Sequence, residues 1–500
     1  MPEFTRDDRS TGSAPTASAA KRPGPVIGLL VGSAFVMILN ETIMSVALPH
    51  LIVDLAVSAS TVQWLTSGFL LTMAVVIPTT GFLLERFTPR QVFLASLTLF
   101  SVGTLVCALA PGFPVLLLGR VVQACGTAVM IPLLMTTVMR LVPLERRGAT
   151  MGTISIVIAV APAVGPTISG AILTSLGWRW MFWLVLPLAL AALTTGAVTL
   201  RLPSTTRSVP LDVASLLLSA IGFSGLVYGF SAIGETAQGG SGLPPWLPIT
   251  IGVLALAQFT ARQVSLQREE RALLDLRPFA HRSFVVALVL SALLFMSLIG
   301  AGAVLLPLYL QDVLRVDAFT TGLAVLPGGL VLGLLGRPVG RLFDRFGARP
   351  LVLPGAVAMA ASLWLFAALG EGSPLVAVIG VHVLLMGALG LMMTPLLTQA
   401  LSVLPGPLYS HGSAILTTFQ QLAGAAGTAV FIAVAALGAE NAAGAPDAAG
   451  IRTAFMVAGC FGVLAVVVAL FVRGRSVEGG PAAGETDDQP TEEVSGSRAT

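Results

Sequence analysis

The chain is built from apolar runs about 20 residues long, and the short segments between them contain most of the charged residues. Because an α-helix needs about 20 apolar residues to cross a bilayer, each run predicts one membrane-spanning helix. The pattern therefore predicts an all-α polytopic membrane protein with fourteen spans. The runs cover residues 26–50, 62–84, 92–109, 115–138, 151–173, 181–200, 213–233, 247–264, 284–310, 320–335, 351–369, 375–397, 413–437 and 455–472.

The composition excludes a soluble globular protein. Of the 500 residues, 55% are hydrophobic and 10% are charged, and the mean hydropathy is +0.91. Fourteen spans would use roughly 280 positions, which is about the whole apolar content of the chain. The net charge of +3 is small, so we interpret the basic pI as a consequence of membrane topology rather than of nucleic-acid binding.

The basic residues predict the orientation of the spans. With the N-terminus in the cytoplasm, 23 of the 27 Lys and Arg residues fall in the tails and inner loops, three fall in outer loops, and Arg120 falls inside a span. Only the inner segment 402–410 has no basic residue. This positive-inside bias predicts a multi-pass protein of the cell (cytoplasmic) membrane, in bacteria the inner membrane, with both termini in the cytoplasm.

A pattern of one glycine, one acid and two arginines occurs twice, and the second copy follows the first by 259 positions. The first copy comprises Gly81, Glu85, Arg86 and Arg90, and the second comprises Gly340, Asp344, Arg345 and Arg349. Both copies follow an even-numbered span on the inner side, so the two halves of the chain run in the same direction across the membrane.

The repeat predicts the domain organisation. Two six-helix halves at 26–200 and 283–472 flank residues 201–282, which supply two extra helices and a cytoplasmic linker. Residues 1–25 and 473–500 have the polar composition of disordered tails, and we expect both in the cytoplasm.

Further short motifs occur at corresponding places in the predicted spans. They are Leu39-Asn40-Glu41-Thr42 and Ala47-Leu48-Pro49 in the first span, Gly119-Arg120, Gln123 and Gly126 in the fourth, Gly152, Ala161, Gly165-Pro166 and Gly170 in the fifth, and Gly177-Trp178-Arg179-Trp180 before the sixth. With the repeat, they make the chain resemble the major facilitator superfamily, specifically its 14-span drug:proton antiporters of the EmrB/QacA type, over nearly all of residues 25–472. Thr88, Ala161 and Ser169 depart from the family's pattern, since glycine is usual there.

The resemblance implies roles for two groups of residues. The eight repeated residues would form gating loops at the inner membrane face, although solvated turns are the simpler alternative. Gly152, Gly165, Pro166 and Gly170 would form the helix that is characteristic of antiporters. For Gly165-Pro166, a plain helix kink is the alternative interpretation.

Glu41 is the only acid that falls deep inside a predicted span, roughly 13 Å from its outer end. A carboxylate at such depth costs about 2.5 to 3.5 kcal/mol, and the resemblance places this acid at the central cavity. We therefore expect Glu41 to couple transport to protons, rather than only to fix helix packing. Arg120, roughly 9 Å deep, is a candidate partner of Glu41, or it could bind backbone carbonyls instead.

Other side chains inside the spans are candidates for the wall of a substrate cavity, because thioethers and aromatic rings adapt to differing ligand shapes. Helix or lipid packing is the alternative for each, and His382 could also carry protons. The candidates are Asn40, Met44, Gln123, Met130, Phe295, Met296, His382 and Met386.

These observations predict a proton-coupled multidrug efflux transporter that exports lipophilic neutral, zwitterionic or monocationic compounds by alternating access. The partners would be small-molecule drugs, protons and the lipid bilayer, with no nucleic acid and no indicated obligate protein partner. An enzyme, a cofactor and a metal site are not expected, since no P-loop, catalytic triad or CxxC pair occurs. The alternatives are a dedicated exporter of one endogenous metabolite, antibiotic or lipid, and a non-transporting membrane receptor or scaffold.

Overall fold

The computed structural model describes residues 23–200, 212–237, 243–439 and 447–473, and these form helices and no strand. Most of each predicted disordered tail, at 1–22 and 474–500, lies outside the described residues. In the N-terminal half the helices are α1 (Pro23–Asp54), α2 (Ala59–Val76, continued by a 3-10 turn at Ile77–Thr79 and by Thr80–Arg86), α3 (Pro89–Ala108), α4 (Phe113–Leu141), α5 (Arg147–Ser175) and α6 (Arg179–Thr199).

Two further helices precede the C-terminal half. They are α7 (Val213–Ala237) and α8 (Trp246–Gln267). In the C-terminal half the helices are α9 (Arg282–Phe295, continued by a π-helical segment Met296–Leu305, by Leu306–Leu308 and by a second π-helical segment Tyr309–Val313), α10 (Ala318–Phe346), α11 (Arg349–Ala368), α12 (Leu375–Ser402), α13 (Tyr409–Leu437) and α14 (Ala448–Ala469). Short 3-10 helices occur at Leu144–Arg146, Arg277–Ala280 and Gly406–Leu408.

Within the described ranges, thirteen helices are long and apolar enough to cross a membrane. The predicted span at 151–173 corresponds to α5, a 29-residue helix whose side chains are described only in part. A fourteenth span and the cytoplasmic position of the termini therefore stay predictions.

The predicted bounds of the tenth span, 320–335, were wrong. Helix α10 continues through Pro338 to Phe346, so it carries Gly340 and Asp344, and α2 likewise carries Gly81 and Glu85. These residues therefore lie in the last helical turns and not in loops. The charges end the apolar run, but the backbone hydrogen bonds of the helix continue past them.

The two halves meet where α5 crosses α10 and where α2 packs against α13. At the first crossing the backbones touch through glycines: a Cβ on Gly336 would overlap the carbonyl oxygen of Gly152, and a Cβ on Gly340 would overlap that of Gly148. Side chains also connect the halves, with Thr136 and Ser413 hydroxyls 3.0 Å apart. The bundle is thus closed at the end that carries the repeated signature.

The two extra helices form a hairpin against one side of this bundle, where α7 packs against both α2 and α13. Close contact between α7 and α8 requires small residues, since a Cβ on Gly225 would lie 2.7 Å from the carbonyl oxygen of Pro248. Beside the hairpin, Arg262 Nε donates to Asp212 Oδ2 at 2.7 Å. This bond, together with hydrogen bonds from Ser215, holds the pKa of the Asp212 carboxyl well below its usual range.

Candidate transport cavity and gate

Two adjoining cavities lie between the halves. The central chamber, about 380 Å³, is lined by residues of α1, α2, α4, α5, α9, α10, α12 and α13. The side chamber, about 420 Å³, is lined by residues of α1, α2, α7, α9 and α13. Three residues line both chambers: Glu41, Ile299 and Gln421. A ligand in either chamber can therefore contact the polar side chains of Glu41 and Gln421.

Glu41 supplies the negative charge of both chambers. It lies in the middle of α1 and is half-buried, because its side chain faces the cavities. Among the described residues that line either chamber, it is the only Asp or Glu. A cationic ligand in this site consequently has one fixed countercharge available.

Arg120, on α4, is fully buried. Its guanidinium donates to Asn40 Oδ1 at 3.3 Å and to Gln123 Oε1 at 3.1 Å, and it lies 4.1 Å from the centre of the Phe69 ring. A longer bond of 3.4 Å reaches the Leu65 carbonyl oxygen. Amide oxygens and an aromatic face thus satisfy the cation, and no ion pair joins the described Arg120 and Glu41 side chains.

The structure places the predicted cavity residues in three environments. Phe295, His382 and Met386 line the central chamber. Asn40 and Gln123 lie behind it, bound to Arg120, and Gln123 also donates to Thr104 at 2.7 Å. The remaining predicted residues, Met44, Met130 and Met296, pack in the hydrophobic core and are not among the chamber-lining residues. Sequence alone could not separate these groups, since it does not show which helix face meets the cavity.

Several lining residues were missed by sequence reasoning. The adjacent amides Gln420 and Gln421 lie on α13 and line the central chamber, and Trp64 and Tyr228 line the side chamber. Two neighbouring amides inside an apolar run were an available signal, because polar side chains at that depth are costly. Trp64 and Tyr228 had no such signal, since aromatic rings are common near membrane interfaces.

The first copy of the repeated signature binds the opposite half through a histidine. His411 Nε2, in the first turn of α13, lies 2.9 Å from Glu85 Oε1. The backbone N–H of Asp275, in the segment after α8, donates to His411 Nδ1 at 3.1 Å. Gly81 must be small here, because a Cβ would lie 2.5 Å from that ring. Sequence reasoning missed His411, because the predicted inner segment 402–410 ends one position before it.

The second copy binds the opposite half through a helix N-terminus. Asp344 accepts hydrogen bonds from the backbone N–H groups of Gly148 at 2.7 Å and Ala149 at 2.9 Å, in the first turn of α5. A carboxylate at this position also interacts favourably with the helix dipole. Because α5 and α13 are each the fifth helix of their half, the two copies make pseudo-symmetric contacts.

The arginines of the signature do not share one role. Arg90 donates to the Ala197 carbonyl oxygen at 2.7 Å, near the end of α6. Arg86 lies near the Phe82 and Phe87 rings, and Arg345 lies 5.1 Å from the centre of the Phe346 ring. Arg147, which is outside the signature, contacts the other half: its guanidinium lies 3.4 Å from the Tyr409 hydroxyl. Arg349 is the first residue of α11.

The glycines predicted for the antiporter helix occupy different sites along α5. A Cβ on Gly152 would overlap the backbone of Gly336 on α10, and one on Gly165 would overlap Thr42, next to Glu41. No atom of the described residues lies within 4 Å of the position of a Cβ on Gly170. The side chain of Pro166 lies outside the described residues.

Known proteins are similar to this chain in sequence and in fold. A profile described as Major Facilitator Superfamily matches residues 30–428. The chain belongs to the Major Facilitator Superfamily. It is 39% identical over 463 residues to the lincomycin resistance protein LmrB of Listeria monocytogenes, covering 90% of this chain and 97% of that relative.

Two further proteins are similar to this chain at lower sequence identity. The multidrug resistance protein B homolog of Mycobacterium tuberculosis is 31% identical over 407 residues, which are 81% of this chain and 74% of that relative. The crystal structure of the human organic anion transporter MFSD10 has a TM-score of 0.66 at 17% identity, covering 89% of this chain and 99% of that one. At that identity the likeness shows the fold alone.

Membership of the superfamily confirms the resemblance drawn from the sequence. The protein is a transporter and not an enzyme, and with its apolar spans it is a multi-pass protein of the cell membrane. A receptor or scaffold without transport activity is therefore not supported.

One departure from the superfamily pattern has a structural explanation. Thr88 is the N-cap residue of α3: its hydroxyl accepts from the Gln91 backbone N–H at 3.2 Å, and Gln91 Oε1 accepts from the Thr88 N–H at 3.0 Å. Such a capping box is a stable helix start. At the corresponding position of the second copy, Gly347 has a φ of 80°, a conformation that favours glycine.

We expect Asp344→Asn to slow transport about tenfold while leaving the ligand dissociation constant within about twofold. The carboxylate bonds two backbone N–H groups of the other half, and charge-assisted bonds of this kind contribute about 1.5 to 3 kcal/mol each. Transport rate and equilibrium binding in proteoliposomes measure the two quantities. Asp317→Asn, which removes a carboxylate at the other end of the same helix, is the matched control. A normal rate with weakened binding would show that Asp344 does not act as a gate.

Proposed function

We propose that this protein is a proton-coupled multidrug exporter, moving lipophilic neutral, zwitterionic or monocationic compounds out of the cell by alternating access. The observation that carries the proposal is Glu41, the one acid among the described residues that line the two chambers. A single titratable carboxylate that is shared by both chambers can hold either a proton or a cationic ligand.

The proposed cycle follows from this competition. When Glu41 takes a proton from outside, its negative charge disappears and a bound cation loses its countercharge, so the ligand leaves outward. When the site next opens inward, the proton leaves and the carboxylate can bind new substrate. Each proton that crosses contributes about 2.3 kcal/mol per 100 mV of membrane potential.

The signature contacts would hold one end state of this cycle. The Glu85–His411 and Asp344–α5 contacts join the halves at the end that the basic residues predict to be cytoplasmic. Breaking them would let α10 separate from α5 and open the cavity inward. In this proposal the structure is therefore the state that is closed toward the cytoplasm.

The relatives support drug export without fixing its breadth. One relative is named for resistance to a single antibiotic, lincomycin, and another for multidrug resistance. A dedicated exporter of one antibiotic or endogenous metabolite consequently stays a second candidate. An efflux panel of unrelated compounds, with and without an uncoupler, distinguishes the two.

The charge of the cavity gives a direct test of the proposal. One carboxylate neutralises one positive charge, and a second cationic centre left unpaired in a low-dielectric cavity would cost several kcal/mol. We therefore expect a monovalent lipophilic dye to be transported at least tenfold faster than a rigid bis-quaternary compound of similar hydrophobicity.

The measurement is proton-driven uptake into inverted vesicles at a fixed membrane potential, with protonophore addition as the control for coupling. Equal rates for the two compounds would contradict the charge argument. Uptake that survives the protonophore would contradict proton coupling itself.

A further inference from the structure

The extra helix α7 forms one wall of the side chamber. Val227, Tyr228, Phe230 and Ser231 of α7 line this chamber together with Glu41 on α1. The hairpin partner α8 covers α7 from the side away from the bundle, and their glycine contacts hold the two helices together. Helix α7 of the inserted pair is thus a wall of the chamber in which Glu41 is the only Asp or Glu among the described lining residues.

The side chamber contains a stacked aromatic pair, whereas Phe295 is the only Phe, Trp or Tyr among the described residues that line the central chamber. The Trp64 ring on α2 stacks on the Tyr228 ring of α7, with ring centres 6.1 Å apart and an angle of 20° between their planes. Phe230 lies on the same wall. Trp64 is 42% exposed, so this stack is accessible rather than sealed in the core.

The two chambers therefore present different surroundings to the same carboxylate. In the central chamber, His382 and Gln420 are buried, and the Nε2 of Gln420 has no hydrogen-bond partner among the described residues. Unpaired polar groups of this kind favour a ligand that can form hydrogen bonds. In the side chamber, flat aromatic faces favour a planar ring and attract a cation.

We infer that the side chamber is a second ligand site, which takes planar aromatic monocations and is completed by the inserted helix α7. The inference rests on the proposed role of Glu41 as the countercharge of the ligand. A planar cation binds with its ring against Trp64 and Tyr228 and its charge toward Glu41. A non-aromatic amine binds in the central chamber, and both ligands compete because they need the same carboxylate.

The test compares two probes on single variants. Ethidium is a planar aromatic monocation, and lincomycin is an amine without an aromatic ring. We expect Tyr228→Ala and Trp64→Ala each to raise the ethidium dissociation constant about tenfold and to change that of lincomycin less than twofold. Tyr228→Phe should bind ethidium like the wild type, since the ring is kept.

Val253→Ala, at an exposed position of α8, is the matched control for changes in the inserted hairpin. Binding is measured at equilibrium in detergent without a proton gradient, so proton coupling does not enter the result. Unchanged ethidium binding in both alanine variants, or equal weakening of the two probes, would overturn the inference. Failure of the proposed function has a different signature, namely uptake into inverted vesicles that survives the protonophore.

Discussion

We expect Glu41→Gln to abolish uphill export. The proton-driven transport rate should fall at least 100-fold while the protein remains folded in the membrane. Glutamine keeps the size and hydrogen-bonding groups of the side chain but does not titrate. No other acid among the described residues lines either chamber, so no second carboxylate can replace Glu41 as the proton carrier. Downhill exchange of a neutral ligand should persist, because it needs no proton.

Substrate-induced proton release in proteoliposomes measures this effect. Asp54→Asn is the matched control, since Asp54 is the last residue of the same helix and accepts a hydrogen bond from Trp178 Nε1 at 2.7 Å instead of lining a chamber. The control should retain coupling. Proton release by Glu41→Gln at the wild-type level would remove Glu41 from the mechanism.

Gly152→Val has the second-largest expected effect, a loss of transport of about 100-fold with ligand binding retained within about threefold. A Cβ at this position would overlap the carbonyl group of Gly336, so a branched side chain holds α5 and α10 apart. Overpacking typically costs about 1 to 3 kcal/mol. Here it destabilises the state in which α5 and α10 are in contact. The transporter would therefore stay open toward the cytoplasm.

Labelling of a cysteine introduced by Ser155→Cys reports this opening, because Ser155 is buried against Thr394 of the other half. The label should react faster from the cytoplasmic side in Gly152→Val than in the parent. Gly170→Val is the control on the same helix, where an added Cβ meets no atom of the described residues within 4 Å. Wild-type transport by Gly152→Val would show that the crossing tolerates separation.

Local sequence patterns predict much of the architecture. Apolar length predicts the helices, because lipid cannot hydrogen-bond an exposed backbone. The duplicated signature predicts two parallel halves, and membership of the superfamily confirms the resemblance on which the fold was built. Glu41 stands out for a similar reason, since a carboxylate inside an apolar run is costly wherever the helix packs.

The tertiary structure alone decided the partners of these residues. Whether Arg120 meets Glu41 or binds Asn40, Gln123 and Phe69 depends on helix rotation, which apolar runs do not encode because lipid and protein interior accept the same side chains. For the same reason, the sequence could not predict that His411 contacts Glu85. Nor could the sequence predict that α7 lines the side chamber, since a span that faces lipid and one that faces a cavity have the same length and composition.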